Sequence, residues 1–163
     1  MKNLTLIPFD LPGKIYRCPL PNGSFDFGST TLQEMKTNGV KRVVTLVEEF
    51  EWLQRAGIDL PCIYKEHGIE MLHLPVVDFK VPNDRDVYLT EVQNVLSWAS
   101  DGDNIAVHCF AGIGRTGTFL SMMAVLRFGW NPLDSVLWIR QFIPGAVENE
   151  MQFQFVMHAS QSF

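Results

Sequence analysis

Cysteine is scarce in this chain of 163 residues, with three at positions 18, 62 and 109. An odd number at scattered positions argues against a disulfide framework and for a reducing compartment. Long apolar runs are missing as well. No stretch can span a membrane, and the apolar part of residues 1–10 is too short for the core of a secretory signal, so the sequence reads as cytoplasmic. Positive charge is in short supply. Thirteen Lys and Arg stand against 18 Asp and Glu, a net charge of −5, and the basic residues are dispersed. That balance argues against a nucleic-acid surface and against tethering to anionic lipid. Histidine gives no metal motif, because the separation of His67 and His73 fits no standard ligand spacing and His158 sits among terminal aromatics. No metal and no cofactor is expected. Repeats, linkers and low-complexity segments are absent too. With 47% hydrophobic residues the chain can bury a full core without staples, as one domain over residues 1–163.

What is present alternates strand and helix patterns. Apolar runs predict strands at 14–18, 40–47, 71–74 and 104–108. Helices are expected at 30–37, closed by Asn38-Gly39, at 50–56, closed by Gly57, and at 60–67, closed by Gly68. A longer one follows Asn83 and carries Val87, Leu89, Val92, Val95, Leu96 and Ala99 near one face as far as Ser100. Three more run over 116–128, 132–142 and 149 onward. This order predicts an α/β fold with a central mixed, mostly parallel sheet and helices on both faces. The tryptophans at 98, 130 and 138, with Phe153 and Phe155, recur near helical spacing and read as core.

One segment carries chemistry, His108-Cys109-Phe110-Ala111-Gly112-Ile113-Gly114-Arg115-Thr116-Gly117. It lies between a strand end and a helix start. There, inward-pointing amides of residues 110–115 and the positive helix end form an anion cradle of phosphate size. Gly112 and Gly114 permit the backbone angles that converge such amides. Arg115 can close the cradle with two parallel hydrogen bonds to phosphate oxygens. The same field favours the thiolate of Cys109, since helix N-termini and cations bring thiol pKa values from ~8.5 to roughly 3.5–7.5. A thiolate beneath a phosphoryl group is set for in-line attack and a phosphocysteine intermediate. Thr116 can donate its hydroxyl to the sulfur. His108 can bond the loop and hold its shape.

The same residues also satisfy G-x-G-x-x-G at Gly112, Gly114 and Gly117. A dinucleotide site needs a second strand after the helix, with an acidic residue at its end. Here the next segment is a helix capped by Asn131 with Pro132 in its first turn, and the pattern assigns nothing to Cys109 or Arg115.

The run HCFAGIGRTGT resembles the C-x5-R-[ST] loop of the cysteine-dependent protein tyrosine phosphatase superfamily. The chain is most similar to the small atypical dual-specificity phosphatases, the group that includes cyclin-dependent kinase-associated phosphatase. The likeness extends to Leu11-Pro12-Gly13-Lys14-Ile15-Tyr16, to residues 40–46 and to Pro144-Gly145-Ala146-Val147-Glu148. It implies hydrolysis of phosphotyrosine, phosphoserine or phosphothreonine in a protein substrate, with Cys109, Arg115, Asp78 and Thr116 catalytic. Phe110, Ala111, Gly112, Ile113, Gly114 and Arg115 would bind the phosphoryl group. Asp78, on the loop after a strand, matches the family's general acid, whereas Asp84 belongs with the cap of the next helix. Glu148 and Gln152 match positions that orient water in some relatives, although Glu148 and Glu150 also suit a helix first turn. Relatives that act on phosphoinositides tend to carry lysine within the loop. Neutral residues at 110, 111 and 113 point to a single phosphoryl group. A catalytically weak phosphoprotein-binding module, or a phosphatase of a small metabolite or an RNA 5′ end, remains compatible with the same cradle, with the acidic charge weighing against RNA. Cys62 is a candidate partner for an oxidised Cys109, with a plain thiol as the alternative. The depth of the pocket depends on residues 48–53, whose placement the sequence leaves open.

Overall fold

The computed structural model describes residues 2–161. Five strands form one sheet in the order β1-β2-β5-β3-β4, with β1 (Thr5–Ile7), β2 (Ile15–Cys18), β3 (Val40–Thr45), β4 (Glu70–His73) and β5 (Asn104–His108). β1 is antiparallel to β2, and the other pairings are parallel. Consecutive residues Ile105 to His108 are all 0% exposed, so the middle strand is covered on both faces, as parallel sheets require. The mixed, mostly parallel sheet expected from the sequence is the one observed.

Six α-helices lie among the described residues: α1 (Thr31–Thr37), α2 (Leu60–Glu66), α3 (Arg85–Ser100), α4 (Gly114–Phe128), α5 (Pro132–Phe142) and α6 (Glu150–His158), with a short 3-10 turn at Phe27–Ser29. Side chains cap them where the sequence offers Asp or Asn. Asp59, Asp84, Asn131 and Asn149 each accept a first-turn amide. α3 turns Tyr88, Leu89, Val92, Val95 and Ala99 inward. α4 is buried at every residue from Gly114 to Val125 and packs against α3, α5 and α6, which explains its apolar character all round. Among the described residues no helix is long and apolar enough to cross a membrane.

The departures from expectation are local. β1 is a three-residue edge strand, too short to show a period. β3 stops at Thr45 because Leu46 turns out of the ladder, its amide still reaching the His108 carbonyl at 3.0 Å. The helix expected at 50–56 is a π-turn over Glu51–Arg55, a geometry frequent at functional sites. α4 begins two residues earlier than expected, so Arg115 lies in its first turn.

Register places the site. Cys18, His108, Thr45 and His73 are aligned across β2, β5, β3 and β4 at the carboxyl edge of the sheet. The segments that leave those strands therefore gather at one end, where open α/β sheets bind ligands.

Candidate active site

Cys109 follows the last residue of β5 and is 3% exposed. The carbonyls after it are tied down one by one. His108 Nδ1 bonds the Cys109 carbonyl at 2.9 Å, and the Leu20 amide donates to the Phe110 carbonyl at 3.0 Å. The carbonyls of Ala111 and Gly112 both accept from Arg17 of β2. Gly112 has φ +76°, and a Cβ there would strike the Arg17 guanidinium and the Cys18 carbonyl. Gly114 takes a helical angle and serves a different need, since a Cβ on it would strike the Glu148 carboxylate. Ile113 is the N-cap of α4, and Gly117 is the first residue whose amide bonds back to it, at 2.8 Å. The amides of 113 to 116 are thus the unpaired donors that every helix start leaves.

Because the Cys109 carbonyl can only accept, His108 carries its proton on Nδ1. Its Nε2 then accepts from the Tyr64 hydroxyl at 2.8 Å, with the Thr45 hydroxyl at 3.0 Å. Burial pushes the imidazole down to about 4, which keeps it neutral and structural.

Arg115 is 2% exposed and meets a residue that sequence reasoning missed. Its Nη1 and Nη2 each donate to the carboxylate of Glu51 at 2.8 Å, and Nη1 also donates to the Val76 carbonyl at 2.9 Å. Burial opposes the charge on both partners. Their mutual hydrogen bonds outweigh it, holding Glu51 below its usual range and Arg115 above. Among the described residues, Nε of Arg115 and the hydroxyl of Thr116 are buried without a partner. Both are donors, and both lie in the first turn of α4, within seven residues of the thiol in the chain.

Asp78 comes to the same place, its Oδ1 3.2 Å from Arg115 Nη2 and its Oδ2 3.5 Å from Arg55 Nη1. Phe79 supports it with an amide bond of 3.0 Å and adopts φ +64°, uncommon for a bulky residue. Asn149 donates to the Phe79 carbonyl at 2.8 Å and Gln152 to the Lys80 carbonyl at 3.4 Å, so the Asp78 loop rests on the start of α6. Gln152 is 0% exposed and also accepts from the Glu148 amide at 3.0 Å. Its amide bridges two loops, while the carboxylate of Glu148 faces the cradle. Burial and then the charge of Asp78 raise the pKa of Glu148. Val147, just before it, has φ +57° and is held by Arg140, which donates to the carbonyls of Ala146 and Val147 at 2.9 Å each. Asp84 caps α3 and Asp86 pairs with Arg85, so neither competes with Asp78.

The mouth is aromatic. Phe25 meets Phe110 edge-on at 5.6 Å, and the Arg55 guanidinium lies 5.2 Å from the Phe110 ring and 5.4 Å from that of Phe50. Cys62 is exposed on α2, with its thiol 3.5 Å from Glu66, while Cys18 ends β2 with its thiol pKa pushed up by burial. Among the described residues no group of His, Cys, Asp and Glu is arranged to hold a metal ion.

Comparison with known proteins places this geometry. The Tc-R-P family, described as a polymorphic toxin system DSP-PTPase phosphatase, matches residues 23–129, about two thirds of the chain. A human protein named phosphatidylglycerophosphatase and protein-tyrosine phosphatase 1 is 30% identical over 114 residues, covering 70% of this chain and 56% of that protein. MJECL20, an uncharacterized protein of Methanocaldococcus jannaschii, is 36% identical over 90 residues, covering 55% of this chain and 58% of that protein. The chain thus spans a little over half the length of these curated relatives. Among solved structures, kinase associated phosphatase (KAP), crystallised with its catalytic-site cysteine changed to serine, superposes with a TM-score of 0.87 at 15% identity, covering 98% of this chain and 94% of that one. Tk-PTP in its active form gives 0.80 at 23% identity, covering 98% of each chain.

Proposed function

The chain belongs to the DSP-PTPase family of cysteine-dependent phosphatases, and on that premise we propose that it hydrolyses phosphotyrosine, phosphoserine or phosphothreonine in proteins through a phosphocysteine intermediate. One observation carries the reading. A buried cysteine lies under a helix start whose neighbouring arginine, aligned by Glu51, keeps a buried Nε without a partner among the described residues.

The thiolate of Cys109 attacks phosphorus, forming the S–P bond as the P–O bond to the substrate breaks. Asp78 gives its proton to the departing oxygen. Arg115 and the loop amides from Phe110 onward stabilise the equatorial oxygens, and Thr116 donates to the sulfur. Water then attacks phosphorus, gives its proton to Asp78, and inorganic phosphate leaves as the thiolate re-forms. Glu148 orients that water, and Gln152 holds the Glu148 loop in place. These residues supply every step without a metal or cofactor. Phe110, Ala111 and Ile113 add no positive charge, which supports a substrate with one phosphoryl group, and residues 1–163 are taken as one catalytic unit. A cytoplasmic setting suits a thiol nucleophile and three free cysteines.

Hydrolysis of p-nitrophenyl phosphate by the wild type and by Cys109→Ser tests the scheme. The wild type should turn over and the variant should lose about 10³-fold or more. Activity surviving in Cys109→Ser would sink the cysteine mechanism. A wild type that binds phosphopeptides without turnover would point to a binding module. A panel of phosphopeptides, phosphoinositides and nucleotides then ranks the substrates.

A further inference from the structure

We infer that Arg17 is a positioning residue that holds the phosphate cradle in its anion-binding form. The inference rests on the cradle having the role proposed above. In a trans peptide the carbonyl of one residue and the amide of the next point to opposite sides. Whatever grips a carbonyl therefore also aims the following N–H. Four consecutive carbonyls, of Cys109, Phe110, Ala111 and Gly112, are gripped by His108, Leu20 and, for the last two, Arg17. Their partner amides, of Phe110, Ala111, Gly112 and Ile113, face away from those grips and join the free amides at the start of α4.

The first two grips are local or main-chain, and the last two depend on one side chain. Arg17 donates from Nε at 3.0 Å and from Nη2 at 2.8 Å to the Gly112 carbonyl, and from Nη2 at 2.8 Å to the Ala111 carbonyl. Ala111 carries only a methyl group and Gly112 no side chain, so without this fork little holds the Ala111 and Gly112 peptides against rotation. Rotation would replace an inward donor with a carbonyl oxygen that repels phosphate. Gly112 shows how closely the two are fitted, because any Cβ at its φ of +76° would strike the guanidinium.

Arg17 is also placed to act by charge. Among the described residues no carboxylate lies within ion-pair distance of it. Its charge is therefore spent on two carbonyl dipoles behind the loop, and β2, where Arg17 is in register with Val107 of β5, fixes its base. Lysine cannot reproduce this. Its ammonium is a compact point donor on a flexible stem and lacks the planar fork that reaches two adjacent carbonyls.

The test compares Arg17→Met and Arg17→Lys with wild type for kcat, KM on p-nitrophenyl phosphate, tungstate inhibition and response to added guanidinium. In Arg17→Met, kcat/KM should fall about 10²-fold and tungstate inhibition should weaken about tenfold, with guanidinium restoring much of the loss. Arg17→Lys should lie between. Values within about threefold of wild type in both variants would overturn the inference, as would a loss that tracks a lower Tm and ignores guanidinium. If Arg17→Met does not fold, Arg17→Lys decides on the same criteria. Tungstate separates this inference from the hydrolase reading. A wild type without turnover whose tungstate binding still depends on Arg17 overturns only the hydrolase, and an active wild type with indifferent Arg17 variants overturns only the clamp.

Discussion

Glu51 and Arg115 form a two-pronged ion pair, with both N···O distances 2.8 Å and exposures of 0% and 2%. Glu51 takes Nη1 and Nη2, and so the edge of the guanidinium that carries Nε and Nη2 keeps Nε for a ligand. The pair is anchored further by the Glu48 amide, which donates to Glu51 at 2.8 Å. A fixed arginine is preorganised for the transition state, whereas a mobile one must be ordered during the reaction.

Removing the Glu51 charge should therefore affect both rate and stability. Glu51→Gln keeps the shape and should lower kcat/KM about 10-fold to 100-fold. Glu51→Ala takes away the two-pronged, fully buried partner of the guanidinium, leaving Asp78 at 3.2 Å, and should cost about 3 kcal/mol, read from urea denaturation. An unchanged midpoint in Glu51→Ala would contradict the buried pair.

Asp78→Asn removes the proton given to the leaving oxygen. The loss should depend on how much the leaving group needs that proton. Alkyl and phenyl phosphates should slow by about 10²-fold to 10⁴-fold, and an activated nitrophenyl ester by much less. Equal losses on both kinds of substrate would assign Asp78 to binding instead.

Glu148 concerns the second step. In Glu148→Gln, transfer to Cys109 should proceed while hydrolysis of the phosphocysteine slows about tenfold, giving a burst of phenol release in rapid-mixing experiments. Burial and the neighbouring Asp78 raise its pKa, so the ionised carboxylate forms above the usual glutamate range. The acid limb of the steady-state profile should reflect that rise in the wild type and lose it in the variant.

His108 makes stability fall in acid. Its folded pKa of about 4 lies below the ordinary imidazole value of 6.5, so the unfolded chain takes up a proton that the folded one refuses. Its contribution is complete above pH 6.5 and is lost as pH falls towards about 4. The full shift corresponds to about 3 kcal/mol. Urea midpoints across that window should drop in the wild type, and the slope should be shallower in His108→Gln.

Residues contiguous in the chain were readable in advance. Cys109, Arg115 and Thr116 share one short segment, and a strand end followed by a helix start limits where such a segment can go. Asp78 was legible only through the family resemblance, because an aspartate on a loop after a strand is by itself an ordinary turn former. Glu51 was not, being 64 residues from its partner and one of three acids in the run Glu48-Glu49-Phe50-Glu51. Its flanking Phe50 and Trp52 were the available hint, since an acid among large apolar residues needs a buried cation. Arg17 offered a similar hint as a cation inside the strand pattern Ile15-Tyr16-Arg17-Cys18.

The amino-acid sequence by itself determined the order of β2 to β5 and of the six α-helices, the caps at Asp84 and Asn131, and the identity of the thiol and guanidinium. All of these follow from periodicity and from residues within one turn of each other. Only the tertiary structure decided which carboxylate aligns Arg115, which cation holds the loop carbonyls, and that Glu148 rests against Gly114. Those contacts join segments from separate strands, and only the parallel register of β2, β5, β3 and β4 brings them to one edge.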